Sequence, residues 1–277
     1  MKPEHHAWFS LITIAAALSL CAAPGGAARY GSPALRFEEN VGQTDARVSF
    51  VVRGARHRVF LTQQGATLDL DGVQPNGDAV RAAVRMRVVG ARNAVRPRGE
   101  GERSSSTRYL LGDRGELRAA HFDRVRYSGV LPGVDLVYYG DPQQLEYDFV
   151  VAPGAQADSL AMRFEGAEQM RLTHAGELAL HTPAGELRLR APYAYQLDGG
   201  ERKTVDARYR LLADGSVGFA LGGYDREREL VIDPVLVYAG YLGGAGADIH
   251  TAVKVNELGE AYVVGATRSL DFPTTSG

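Results

Sequence analysis

At 277 residues, 45% hydrophobic and 23% charged, the chain has the composition of a folded globular protein with material for one large core or two medium ones, which argues against intrinsic disorder. A net charge of -2 argues against a nucleic-acid binder. Only Lys2, Lys203 and Lys254 are lysines, so the abundance of arginine reads as codon bias rather than as a binding signal.

The first element is an apolar run, Ala7 to Ala23, preceded by Lys2 and followed by the small residues of Pro24 to Ala28. This is the pattern of a secretory signal peptide, with cleavage expected after Ala28, removing residues 1–28, and Ala23 as the alternative site. The run is at the lower limit for a membrane span, and no basic stop-transfer cluster follows it. Cys21 is the only cysteine; Leu20 before it is too large for a lipidation site, so the mature chain is expected to have neither lipid nor disulfide.

Beyond the leader, short alternating segments bounded by Gly, Pro, Asp and Asn predict an all-β chain. Strands are expected over Val48–Gly54, His57–Gly65 and Ala66–Gly72, with Asp71-Gly72 as a hairpin turn. The polar, Gly- and Arg-rich stretch from Val89 to Thr107 reads as a long exposed loop. The densest signal follows: Leu145, Tyr147, Phe149 and Val151 alternate with Gln144, Glu146, Asp148 and Val150, giving one core face and one mostly wet face. The strand over Asp135–Gly140 is expected to pair with it across Gly140–Gln143. A short helical turn over Ala155–Ala161 and a strand at Met162–Ala167 come next. The echo of Ala175–Leu180 in Ala184–Leu189 then predicts a meander, and Asp198-Gly199 and Asp214-Gly215 predict further turns. Pro234 suits an edge strand or a joint, which sets a domain boundary near Asp233 and divides the mature chain into 29–233 and 234–277.

Five segments carry a family resemblance: Phe37–Gly54, Val130–Gly140, Leu145–Ala155, Arg163–Ala167 and Leu230–Gly244. Together they resemble the N-terminal domain of bacterial SBBP (β-propeller repeat) surface proteins. The segment from Tyr238 to Gly277, with its YLGG, GEAYVVGAT and DFPTT motifs, is similar to the repeat itself. The resemblance implies a β-sandwich-like leader domain followed by a propeller-type blade, exported and displayed at the cell surface or released, and it brings no catalytic residues with it. A blade takes about 40–45 residues, so roughly one is present. One blade leaves both sheet faces uncovered, which points to further blades or to packing against the leader domain. Asn256, Glu257 and Leu258 depart from the acidic and small polar residues usual at that turn, which weakens a cation site there.

Several constellations carry possible chemistry. Glu146 and Asp148 share one side of a strand, about 7 Å apart by two residue rises, a spacing an acid/base pair could use. Side by side they do not flank a scissile bond, and alternation alone demands polar residues there. Arg85 and Arg87 project from one strand face and could meet an anionic glycan, the bland reading being a solvated face. Asp69–Asp78 begins like a calcium loop but has Val73 and Gln74 at ligand and turn positions, so it reads as a hairpin loop. His174 and His181 lack partners at metal-site spacing, and His57 and His121 are isolated. Asp214 stands where a nucleophile elbow needs Gly, and Ile249 where a dinucleotide loop beginning at Gly243 needs one. The expectation is an exported structural or interaction module without cofactor or metal, its partner a surface glycan or another protein. The alternative is a carbohydrate-active hydrolase or an anionic-glycan binder.

Overall fold

The computed structural model describes residues 35–53, 57–73, 78–92, 95–111, 115–141, 144–239, 248–255 and 261–268. It is all β, with a single 3-10 turn at Ala157–Ser159 and no α-helix among the described residues. The leader with Cys21, the loop at Gly243 and the turn at Asn256–Leu258 lie outside the described residues.

Strands β1 (Phe37–Glu39), β2 (Val48–Arg53), β3 (His57–Thr62), β4 (Gly65–Val73) and β5 (Ala79–Val88) form one antiparallel run. The long β7 (Glu116–Leu131) carries β6 (Arg98–Leu110) on one edge, and β1 and β8 (Val134–Asp141) in succession on the other. β8 pairs with β9 (Gln144–Val151), Asp141 opposite Gln144, as the alternating pattern predicts. β10 (Ala161–Glu165) returns to the edge of β5. β11 (Gln169–Leu172), β12 (Leu178–Thr182) and β13 (Gly185–Leu189) make a meander, and β14 (Tyr193–Asp198) and β15 (Glu201–Val205) a hairpin. β16 (Ala207–Leu211) and β17 (Val217–Leu221) form another, joined to β10. The result is a nearly closed, barrel-like sheet.

The sheet branches at Pro234. β18 (Leu230–Asp233) and β19 (Val235–Ala239) lie in succession along one edge of β9. β18 passes the ladder on to β14, whereas β19 passes it to β13. Proline has no N–H to donate, so the point between the two strands is where a ladder bond can be spared. The large sheet therefore runs past Asp233, where the sequence sets a boundary, as far as Ala239. Beyond it, β20 (Asp248–Val255) and β21 (Ala261–Thr267) pair with each other as a separate two-stranded sheet.

Two local expectations are overturned. Asp71 and Gly72 do not turn; they stand inside β4, opposite Arg81 and Val80, with Asp71 Oδ1 accepting from Arg81 Nε at 2.9 Å. β4 ends at Val73, which pairs with Ala79 at the start of β5. The stretch from Val89 to Thr107 is not one loop, since from Arg98 onward it is β6, hydrogen-bonded to β7. Most of β6 is exposed or half-buried, so backbone pairing rather than apolar burial holds it in the sheet.

An aromatic chain fills the interior. Tyr127 meets Tyr138 at 5.8 Å between ring centroids, Tyr138 meets Tyr147 at 5.8 Å, and Tyr147 meets Phe149 at 5.7 Å. Phe149 then reaches Phe219 of β17 at 5.9 Å, and Phe219 reaches Tyr209 of β16 at 5.7 Å. β9 and β17 share no ladder, so this ring contact shows two distant parts of the sheet facing one another across the core. The Tyr127 hydroxyl donates to the Thr62 carbonyl at 2.9 Å, tying the β3–β4 turn to the interior. The hydroxyls of Tyr138, Tyr147 and Tyr209 are buried without a hydrogen-bond partner among the described residues. An unpaired buried hydroxyl costs desolvation without return. Tyr147→Phe, which keeps the ring and drops the oxygen, is thus expected to leave stability unchanged or raise it by about 1 kcal/mol in urea melts. A loss larger than that would reveal a partner for the oxygen.

Candidate functional site

The outer face of the sheet around β9 gathers the tyrosines and carboxylates that the core does not use. Ladder register sets the rows: Tyr193 stands opposite Asp233, Glu146 opposite both Tyr139 and Val235, and Val137 opposite Asp148. Val137 and Val231 line this face and are themselves buried, 3% and 8% exposed, beneath the larger side chains around them. So the face expected to be mostly wet has a small apolar floor of its own, and it carries Glu146, Asp148 and Asp233 together.

Tyr139 organises the carboxylates. Its hydroxyl donates to Asp148 Oδ1 at 2.8 Å and lies close enough to Asp233 to favour that residue's charged form as well. Asp233 Oδ1 is buried with no hydrogen-bond partner among the described residues. Two arginines border the group: Arg124 lies 5.8 Å from the centroid of the Tyr139 ring, and Arg202 4.3 Å from that of Tyr195. Tyr195 in turn stacks on Tyr193 at 5.6 Å, and Tyr193 is exposed.

Burial is the main reason the Asp148 carboxyl is pushed up to about 6, with Asp233 and Glu146 adding repulsion and the Tyr139 hydrogen bond and Arg124 opposing it. Asp233 is raised chiefly by burial, against the pull of Arg202 and Tyr139. Burial, then the charge of Asp148, raises the Tyr139 hydroxyl. Folded Asp148 holds its proton up to about pH 6, whereas an unfolded aspartate releases it near 3.8. The native state therefore binds more protons in this window, and the contribution to stability is present below it and lost as pH rises through it. Asp148→Asn is expected to raise stability at pH 7 by about 1–2 kcal/mol, allowing for partial solvation, and to flatten most of the decline between pH 4 and 6. Denaturant melts at a series of pH values check this; an unchanged slope would place the proton elsewhere.

Arg85 and Arg87 lie on β5, away from this face. Both converge on Glu165 of β10: Arg87 Nη2 pairs closely with Glu165 Oε1, and Arg85 Nη1 lies 3.5 Å from Oε2. Arg163, next along β10, is held by Asp214 at 2.6 Å. The stripe of arginines is thus largely matched by acids of its own sheet. His174 and His181 are exposed on the β11–β13 branch, and the His57 side chain lies outside the described residues. Among the described residues no group of three or more His, Cys, Asp or Glu is placed to hold a metal ion.

A family model described as a domain of unknown function (DUF7948) matches residues 37–235. The chain belongs to the DUF7948 family. No curated protein and no solved structure matches it. The DUF7948 span begins at β1 and ends at the first residue of β19, so Tyr139, Glu146, Asp148, Tyr193, Tyr195 and Asp233 all lie within it. Of the sequence-predicted candidates, the structure brings Glu146 and Asp148 into one cluster and leaves Arg85 and Arg87 outside it. Asp233, Tyr139 and Tyr193 were missed because nothing in their local pattern sets them apart. No helix among the described residues is long and apolar enough to cross a membrane.

Proposed function

We propose that this DUF7948 chain is an exported bacterial interaction module, acting at the cell surface, in the periplasm or after release. Its outer face around β9 would bind a surface glycan. In this reading the large sheet, through Ala239, is a sandwich-like leader domain, and β20 and β21 belong to an SBBP-type propeller unit. The carrying observation is the set formed by exposed Tyr193, the Tyr139–Asp148 hydrogen bond and the unpartnered Oδ1 of Asp233, all on one face. An exposed tyrosine ring offers a stacking surface for a sugar, and the carboxylates beside it offer acceptors to its hydroxyls. The carboxylates stand side by side on neighbouring strands rather than opposed across a cleft, which favours binding over bond cleavage.

The test is calorimetric titration of the purified chain with soluble neutral and uronic-acid oligosaccharides. Binding that falls at least tenfold in both Tyr193→Ala and Asp233→Asn supports the proposal. Binding to none of the sugars, or undiminished in both variants, overturns it. A hydrolase is the second reading, favoured by one observation: a carboxyl near 6 suits a general acid. Release of new reducing ends by the wild type, abolished in Asp148→Asn, would put hydrolysis in place of binding.

A further inference from the structure

A second cluster, on β1, β6 and β7, has the connectivity of an activated nucleophile. His121 of β7 is buried, 5% exposed, and both its ring nitrogens meet hydroxyls of β6: Ser105 Oγ at 3.0 Å from Nδ1 and Thr107 Oγ1 at 2.8 Å from Nε2. Glu38 of β1, whose charged form the Thr107 hydroxyl favours, has its Oε2 3.9 Å from His121 Nε2. Glu38, 6% exposed, further accepts from the Tyr109 hydroxyl at 2.5 Å and from Gln43 Nε2 at 3.0 Å, with Arg53 at 3.7 Å.

The proton directions follow from this arrangement. Glu38 gathers donors on every side and its carboxyl is held below the ordinary carboxylate range, so it is ionised and only accepts. The Thr107 hydroxyl favours that charge, so its proton turns toward Glu38 and its oxygen is left to accept from Nε2–H of His121. His121 is lowered by burial, with Arg36 and Arg103 also disfavouring its charged form and Glu38 favouring it, so the neutral ring carries its one proton on Nε2. Nδ1 is then bare, and the Ser105 hydroxyl donates to it. Every proton in the chain Ser105, His121, Thr107, Glu38 points toward the carboxylate.

β6 is deformed to make this possible. Glu102 pairs with Phe122 and Ser106 with Ala120, so Arg103, Ser104 and Ser105 stand where the partner strand offers only His121. Such a bulge re-aims a side chain, here that of Ser105, an exposed residue whose hydroxyl meets His121. Neighbouring Ser106 is engaged instead by Arg118 Nε at 2.8 Å.

We infer that Ser105 is a nucleophile, with His121 as its base and Thr107 and Glu38 as positioning residues, competent for acyl transfer from unhindered carboxylic esters. Ser105 Oγ bonds to the carbonyl carbon as its proton passes to Nδ1. The C–O bond to the alcohol then breaks and the departing oxygen takes that proton. Water releases the acyl group from Ser105 by the same shuttle.

The test is the full chain with p-nitrophenyl acetate, followed by peptide mass mapping. The expected result is a burst of p-nitrophenolate approaching one equivalent, acetyl on Ser105 at least tenfold ahead of Ser104 and Ser106, and a rate rising with pH through a midpoint below the ordinary histidine value. His121→Gln should abolish the labelling. Because a buried histidine bears on folding, Thr107→Ser and Thr107→Val supply the deciding pair: the first keeps the relay hydroxyl and the rate, the second slows labelling at least tenfold. No adduct on Ser105, or one formed equally fast in both threonine variants, overturns the inference. The glycan face is built chiefly on β8, β9, β14 and β18 and is tested by another measurement, so either proposal can fail alone.

Discussion

Phe149→Ala is expected to cost about 3–5 kcal/mol, whereas Glu146→Ala three residues earlier on β9 costs less than about 1 kcal/mol. Phe149 is fully buried and is the ring through which β9 touches β17, at 5.9 Å from Phe219 and 5.7 Å from Tyr147. Truncation removes the contact between two distant strands of the sheet and leaves a cavity walled by strands paired on both edges, which cannot collapse to fill it. Glu146 sits on the opposite face, where the solvent and neighbouring side chains can adjust. Chemical denaturation of both variants checks the contrast, and equal losses would mean that the register of β9 is shifted by one residue.

Gly65→Ala is expected to cost about 3 kcal/mol or more, although it adds only one methyl group. Gly65 has φ +128°, and a Cβ there would stand 2.2 Å from the Met86 carbonyl oxygen of β5. Neither can give way. The Gly65 carbonyl accepts from Thr62 Oγ1 at 3.1 Å, and the Thr62 carbonyl accepts from buried Tyr127. Strain at this turn is thereby passed to the core. Gly199 is the control, since its φ is +59° and nothing lies within 4 Å of the added methyl; Gly199→Ala should cost about 1 kcal/mol. Similar losses in the two variants would show that the close approach of Gly65 to Met86 relaxes freely.

How much was legible in the sequence depended on whether a strand had one dry face. β9 declared itself because Leu145, Tyr147, Phe149 and Val151 all enter the core, and the period of two follows from that alone. β6 did not, because its side chains are mostly exposed or half-buried and its apolar content carries no period. The Asp71-Gly72 pair misled for a related reason: its turn chemistry is real, but pairing with β5 extends β4 through it. The candidate site was half visible. Glu146 and Asp148 share a strand and so a local pattern, whereas Asp233 and Tyr193 join them only through ladder pairs made by distant strands. His121 looked isolated because its partners come from a bulge and from a strand far away along the chain.

The branching at Pro234 bears on how the chain reaches its native state. The free edge of β9 is completed only by β18 and β19, Leu230 closing on Val151 and Leu236 on Leu145. Everything between Val151 and Leu230 must be synthesised before that edge is capped. Until then an apolar strand stands open to any other strand in reach, in the same molecule or the next. The pairings that close it are among the most non-local in the molecule, and loops of such span close slowly. Chains interrupted before Leu230 would hold an almost complete core beside an unprotected edge, the form most prone to associate with copies of itself.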